Sequence, residues 1–266
     1  MRIPSCLSVV LIALLLAGCA ATTTKPPPEA RSALSPTGTL RGAVLLNTAL
    51  QVSKTGASGE PEGIAVDLGR ELARRLGVSY TPVPYKSIEL LMAGAKTGQW
   101  DVAFMAFDRS RETLIEFVAP VMDVDMGYMV PENSTLLSID SVDQPGNRIV
   151  VAGSGGTDLL LTRQLKNAQI VRASGVAGLI ETLKAGKADA AAANKPTLYV
   201  DAEKLSGSRV LDGRFAVSQY AIVTRKGQEA GNAYLRRFVE EIRTEGLIKT
   251  AIAKAKLRGV SVAVPK

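Results

Sequence analysis

Two short stretches of this chain carry groups suited to holding an anion. The first is Asp108-Arg109-Ser110-Arg111-Glu112. A guanidinium offers planar, paired N–H donors that match a carboxylate two to two, which an ammonium cannot do. Arg109 and Arg111 both offer such a fork; an ion pair of Arg111 with Asp108 or Glu112 is the alternative use. The second stretch is Gly155-Gly156-Thr157. A glycine-rich turn running into a helix exposes backbone donors, and the positive end of the helix dipole favours an anion there. Thr157 could equally serve as the cap of that helix. Composition removes much other chemistry. The 266 residues include no histidine, which excludes serine–histidine and cysteine–histidine catalysis and histidine-ligated zinc. The only cysteines are Cys6 and Cys19, so neither a disulfide nor a cysteine metal site is expected. No catalytic residue, metal or cofactor is expected.

The elements that must position these residues begin after a long leader. Residues 1–18 read as an export signal, with one early charge (Arg2) and an apolar run from Leu7 to Leu16 too short to span a bilayer comfortably. The run ends in Leu16-Ala17-Gly18-Cys19, which resembles a bacterial lipobox. That resemblance implies cleavage before Cys19 and several acyl chains on it, a stable anchor where a single chain binds only marginally. Residues 19–37, rich in threonine and proline, read as an extended tether, with folding expected to begin near Gly38. The formal charge of +7 is spread among acids without a polybasic block, so no nucleic-acid partner is expected.

From Gly38 onward, about 220 residues alternate short apolar strands with amphipathic helices, which predicts α/β units around largely parallel sheets in two lobes. Strands are expected at 39–46, 78–83, 102–107 and 125–130, after an apolar segment ending in Pro120. A helix is expected over 64–76, with Ala65, Leu68, Leu72 and Leu76 on one face and Gly77 as its stop. Ile88, Leu91, Met92 and Ala95 mark another. The middle of the chain repeats the theme, with strands at 148–152, 169–173 and 188–193 and helices at 157–166 and around Val176–Leu183. A strand at 220–224 and two helices follow.

Read in order, seven segments resemble the bacterial extracellular solute-binding proteins of family 3, the polar amino-acid type. They are Gly38-Thr39-Leu40-Arg41, then Glu62-Gly63-Ile64-Ala65-Val66-Asp67-Leu68 (the family's G-F-x-x-D-L) and Gly98-Gln99-Trp100-Asp101. Arg111 to Pro120 is similar to E-R-x-x-x-x-x-F-S-x-P. Gly155-Gly156-Thr157, the stretch from Leu183 to Ala190 (L-x-x-G-K-x-D-A) and that from Tyr220 to Lys226 complete the set. The resemblance implies a type II periplasmic binding protein fold: two α/β lobes with a double crossover hinge, closing on a ligand. Lobe one is then 38–124 with 218–260, lobe two 125–217, with hinges near 123–125 and 215–218.

The resemblance also implies roles. Arg111 forks onto a ligand carboxylate, with Gly155, Gly156 and Thr157 contacting it from the second lobe. Asn194 stands where amino-acid binders of the family carry an aspartate for the ammonium, so recognition of an α-ammonium is in question here. Met105, Ala106 and Asp108 are expected to floor the cleft, Asp108 pairing Arg111 or supplying negative charge. Asn47 and Tyr85 are expected to line it, unless Tyr85 is packed in the core. Asp67, Asp101 and Asp189 are read as structural. The implied function is non-catalytic: a monomeric, lipid-anchored receptor on the periplasmic side of a membrane, passing a small carboxylate-bearing solute to an ABC permease. The alternatives are a sensor or scaffold lipoprotein with a degenerate cleft, and a dehydratase-type enzyme on the same fold.

Overall fold

The structure, a computed structural model, describes residues 25–46, 48, 50–51, 54–55, 59–153 and 155–264; the export signal and Cys19 lie outside these. Its first element departs from the expected tether. Pro28–Leu34 form helix α1, with proline at the first turn, where a missing N–H costs nothing. Ala30 and Leu34 are each 1 % exposed, and Leu34 fills the space that a side chain at Gly231 would need. Two apolar residues one turn apart are enough because the surface they enter is already built by a longer helix.

The first lobe opens with β1 (Thr39–Leu45), the hairpin β2 (Lys54–Thr55) and β3 (Pro61–Glu62), and α2 (Ile64–Leu76). Then come β4 (Ser79–Tyr85), α3 (Ile88–Lys96) and β5 (Val102–Ala106). α2 buries Ile64, Ala65, Leu68, Leu72 and Leu76 and stops at Gly77, which takes the left-handed φ of 66°. A 3-10 turn, Arg109–Thr113, leads into β6 (Ile115–Val130). The second lobe runs through β7 (Arg148–Ala152), α4 (Gly156–Gln164), β8 (Gln169–Ala173), α5 (Ala177–Lys184), β9 (Ala190–Asn194), α6 (Lys195–Ala202) and β10 (Arg209–Val210). β11 (Ala216–Arg225), α7 (Glu229–Thr244), α8 (Leu247–Lys254) and β12 (Val260–Val262) return to the first lobe.

One mixed sheet joins both lobes, in the order β4-β1-β5-β11-β6-β9-β7-β8 with β10 and β12 also paired to β6, while β2 and β3 form a separate hairpin. β4, β1 and β5 are parallel, as are β9, β7 and β8, while β11 and β6 run antiparallel between them. β6 is one 16-residue strand rather than two pieces. Pro120, which cannot donate to a ladder, is tolerated because the pairing with β11 shifts register between Tyr220 and Ala221. Both faces of each lobe are covered. On β5, Val102 and Phe104 pack toward α2, α7 and α8, while Ala103 and Met105 pack with Leu91 and Trp100 under α3. On β7, Ile149 and Val151 face Leu161, and Val150 faces Leu179 and Leu183.

Each lobe ties its parallel strands with the same device. At the start of β1, Arg41 donates its backbone N–H and Nε to Asp101 Oδ2, both at 2.9 Å, and Nη2 to Oδ1 at 2.6 Å. At the start of β7, Arg148 grips Asp189 with the same three donors, at 2.8, 3.1 and 2.8 Å. Both aspartates precede a strand of the sheet, so their sequence-level reading as structural groups acquires a definite role.

Candidate functional site

At the C-terminal end of β5 the Phe107 N–H donates to the Gln219 carbonyl at 2.8 Å, and the chain then turns sharply into the 3-10 helix. Asp108 caps that turn: its Oδ1 accepts from the Ser110 N–H at 3.0 Å and hydroxyl at 2.7 Å. Arg111 lies inside the turn. Its Nη1 donates to the Ala106 carbonyl at 3.2 Å, while Nη2 is 3.5 Å from Asp108 Oδ2, a charge contact rather than a good hydrogen bond. The guanidinium is therefore steered by a carbonyl and left with donors unspent, in contrast to Arg41 and Arg148, whose forks are filled.

Two carboxylates of this corner are held low by nearby donors and arginines. Burial works to raise the Asp108 carboxyl, but the Ser110 donors and the charges of Arg111 and Arg163 outweigh it and hold the group below the usual carboxylate range. Arg163 is carried by α4, so a charge of the second lobe acts on the turn of the first. Glu89 is also held low, first by the Ser87 hydroxyl, with Arg111 adding to it. Burial pushes the Tyr220 hydroxyl up to about 12 against the pull of Arg111.

In the second lobe, Gly155 occupies the cap position of α4, with Gly156 and Thr157 in the first turn and no side-chain cap. Thr157 is thus not the helix cap. Asp158, buried behind it, receives Arg172 Nε at 3.0 Å. Asn194 ends β9 opposite Met126 and spends its amide oxygen on the Thr197 N–H at 3.1 Å, capping α6. In both lobes the candidate groups sit at the C-terminal ends of parallel strands, the edge where ligands of open α/β sheets bind.

A family profile matches residues 46–255, that of the bacterial extracellular solute-binding proteins, family 3. The chain belongs to that family. No curated protein matches it. Solved structures show the same type II periplasmic binding fold. An amino-acid ABC transporter substrate-binding protein from Streptococcus pneumoniae, bound to L-arginine, is 19% identical, with 86% of this chain and 99% of that one covered and a TM-score of 0.69. A solute receptor for L-cysteine of Neisseria gonorrhoeae is 18% identical, covering 88% and 99%, with a TM-score of 0.70. An ancestral amino-acid-binding protein, a precursor of cyclohexadienyl dehydratase, is 20% identical, covering 84% and 98%, with a TM-score of 0.69. At these identities the likeness establishes the fold and leaves the ligand to other arguments.

Within this family 3 protein, the expected site residues divide. Ala106, Asp108 and Arg111 form one bonded group; Gly155, Gly156 and Thr157 form a turn at the facing strand edge, and Asn194 caps the next helix. Met105 does not floor the cleft: strand alternation turns its side chain into the core beside Trp100 and Leu91. Tyr85 is likewise buried, its ring packed on Gly94 and its hydroxyl donating to Gln99 Oε1 at 3.1 Å. Asn47 lies outside the described residues. Its neighbour Thr48 holds an enclosed hydroxyl with no partner among the described residues, an addition that no motif pointed to. Phe107 is a second addition. It is 52 % exposed beside the carbonyl that steers Arg111, its ring 4.9 Å from that of Phe117. The sequence placed it within a buried strand, whereas the strand ends one residue earlier. Two concavities lie elsewhere, both in the second lobe. One of about 460 Å³ lies around Tyr128, Asp143 and Phe215, and one of about 580 Å³ around Glu132, Arg148 and Lys184. Among the described residues no cluster of acids could hold a metal ion, and no helix is long and apolar enough to cross a membrane.

Proposed function

We propose that this protein is a non-catalytic receptor that captures a small carboxylate-bearing solute between its lobes, 38–124 with 218–260 and 125–217, and delivers it to an ABC permease. The observation that carries this reading is the contrast among three arginines. Arg41 and Arg148 each hold an aspartate carboxylate on the Nε–Nη2 fork, whereas Arg111, at the cleft edge, is steered by a carbonyl and makes no such two-point pairing, which leaves its fork for an incoming carboxylate. Gly155, Gly156 and Thr157 would meet the same anion from the second lobe. Family membership supports an extracellular setting. The leader adds an anchor at Cys19 on the periplasmic side of the membrane, with the receptor working as a monomer.

Asn194 favours an organic acid over an α-amino acid, since its oxygen is engaged in capping and it carries no charge to offset a desolvated ammonium. The likeness to a dehydratase precursor raises a catalytic reading. Asp108 and Glu89 are both held below the usual carboxylate range, the wrong direction for the general-acid half of such a mechanism at neutral pH.

The test is a thermal-shift screen of a soluble form starting at residue 25, so that α1 is kept, against amino acids, keto acids and dicarboxylates. A ligand at a hundredfold excess over its dissociation constant adds about 2.7 kcal/mol of stability. The expected result is a stabilising acid whose effect vanishes in Arg111→Ala. A well-folded protein that no acid stabilises would remove the receptor reading and favour the sensor or scaffold lipoprotein.

A further inference from the structure

The C-terminal segment crosses from one lobe to touch the other. Leu257, Val260 and Val262 pack in the first-lobe core with α2, α7 and α8, and β12 pairs with Met122–Val124 of β6. Asn194 of β9 and Ala216 of β11 both pair with Met126, so they lie on opposite edges of β6. β11 also pairs with the residues that β12 uses. β12 and β9 therefore lie end to end along one edge, and the segment before β12 abuts the start of α6.

The contact there is close and specific. The Arg258 guanidinium lies 3.7 Å from the ring centroid of Tyr199 on α6. Gly259 adopts a φ of +72°, and a Cβ there would fall 2.7 Å from the Cβ of Lys195. Only glycine satisfies both demands. Lys195, 7 % exposed, runs its stem between Gly259 and Gly127 of β6. The Gly259 carbonyl accepts the Asp125 N–H at 2.8 Å, at the hinge itself. Lys195 directly follows Asn194, the cap of α6.

We infer that Arg258 and Gly259 are positioning residues for the cleft: from the first lobe they brace α6 and its Asn194 cap, adding a third, non-covalent tie between the lobes beside the two crossover strands. The brace sets the angle of the second lobe against Arg111 without touching a ligand. Its effect on affinity rests on the receptor reading; its effect on the lobes does not.

Hydrogen exchange on the full chain in detergent, comparing the unsubstituted protein with Arg258→Ala and Arg258→Lys, tests this directly. Loss of this solvent-exposed cation–π contact should speed exchange of the Thr197 and Asp125 amides about two- to fivefold in Arg258→Ala. The lysine variant, which keeps a cation over the ring, should restore most of the protection, with α7 unchanged in both. Equal protection of Thr197 and Asp125 in Arg258→Ala overturns the brace. So does acceleration that extends equally into α7, which marks general loosening. In the same samples, L-arginine and succinate serve as titrants, and binding of either should weaken roughly threefold or more in Arg258→Ala. A parent chain that binds neither of these nor any acid in the screen sinks the receptor reading, while the exchange result still decides the brace.

Discussion

The two lobes use one fastening in two settings. Arg41–Asp101 and Arg148–Asp189 share the same three donors and an aspartate directly before the neighbouring strand, yet the Asp101 side chain is 1 % exposed and that of Asp189 37 %. The first lobe covers its clamp; the second leaves it at the rim of a concavity that includes both partners. The difference shows that a repeated motif fixes geometry, while the surrounding packing decides what that geometry contributes. Arg111 completes the comparison. It is an arginine of the same kind, three residues from an aspartate, but the tight turn gives Asp108 to Ser110 instead. Two arginines spend their forks on aspartates that hold the sheet, and Arg111 pairs no carboxylate in that two-point way.

The largest effect should come from breaking the buried clamp. Asp101→Ala leaves Arg41 without its partner and should cost roughly 3–5 kcal/mol of unfolding free energy, measured by urea denaturation. Arg111→Ala should do the reverse. Stability without ligand changes little, because Asp108 keeps its Ser110 bonds, while binding of a stabilising acid loses about 2–5 kcal/mol by calorimetry. An Arg111→Ala protein that melts as early as Asp101→Ala would abolish the distinction between the two kinds of arginine. Asp189→Ala should destabilise measurably less than Asp101→Ala in the same urea series, because water already reaches its clamp.

The smallest effect concerns acid. The hydrogen bonds of Arg74, opposed by partial burial and helped by Arg75, hold the Glu71 carboxyl at about 2 instead of 4.5. A lowered folded-state value means that the contribution is complete above about pH 4.5 and lost as pH falls toward about 2. Glu71→Gln should flatten the stability profile in that window, and a profile unchanged by the substitution would show the Arg74–Glu71–Arg75 network to be idle.

Much of this was legible in the residues. The periodicity of α2 and its glycine stop follow from local sterics, so the helix falls at Ile64–Leu76 as the pattern requires. Asp101 and Asp189 sit in motifs whose short, strand-edge setting marks them as structural. Strand ends were less legible. β5 stops at Ala106, and that single residue exposes Phe107, because a continuous apolar run does not reveal where the partner strand ceases to pair. Met105 was misplaced, and Tyr85 took its alternative place in the core, for a related reason: which face of a strand meets a cleft and which meets a helix depends on what packs there.

The sequence by itself determined the α/β alternation, the family and the exclusion of histidine chemistry, since each depends on residue type, order or short spacing. Only the tertiary structure decided which arginines are spent and which is not, that α1 docks on the surface at Gly231, and that Arg258 reaches Tyr199. Those depend on contacts between residues far apart in the chain, and local physics sets no distance between them.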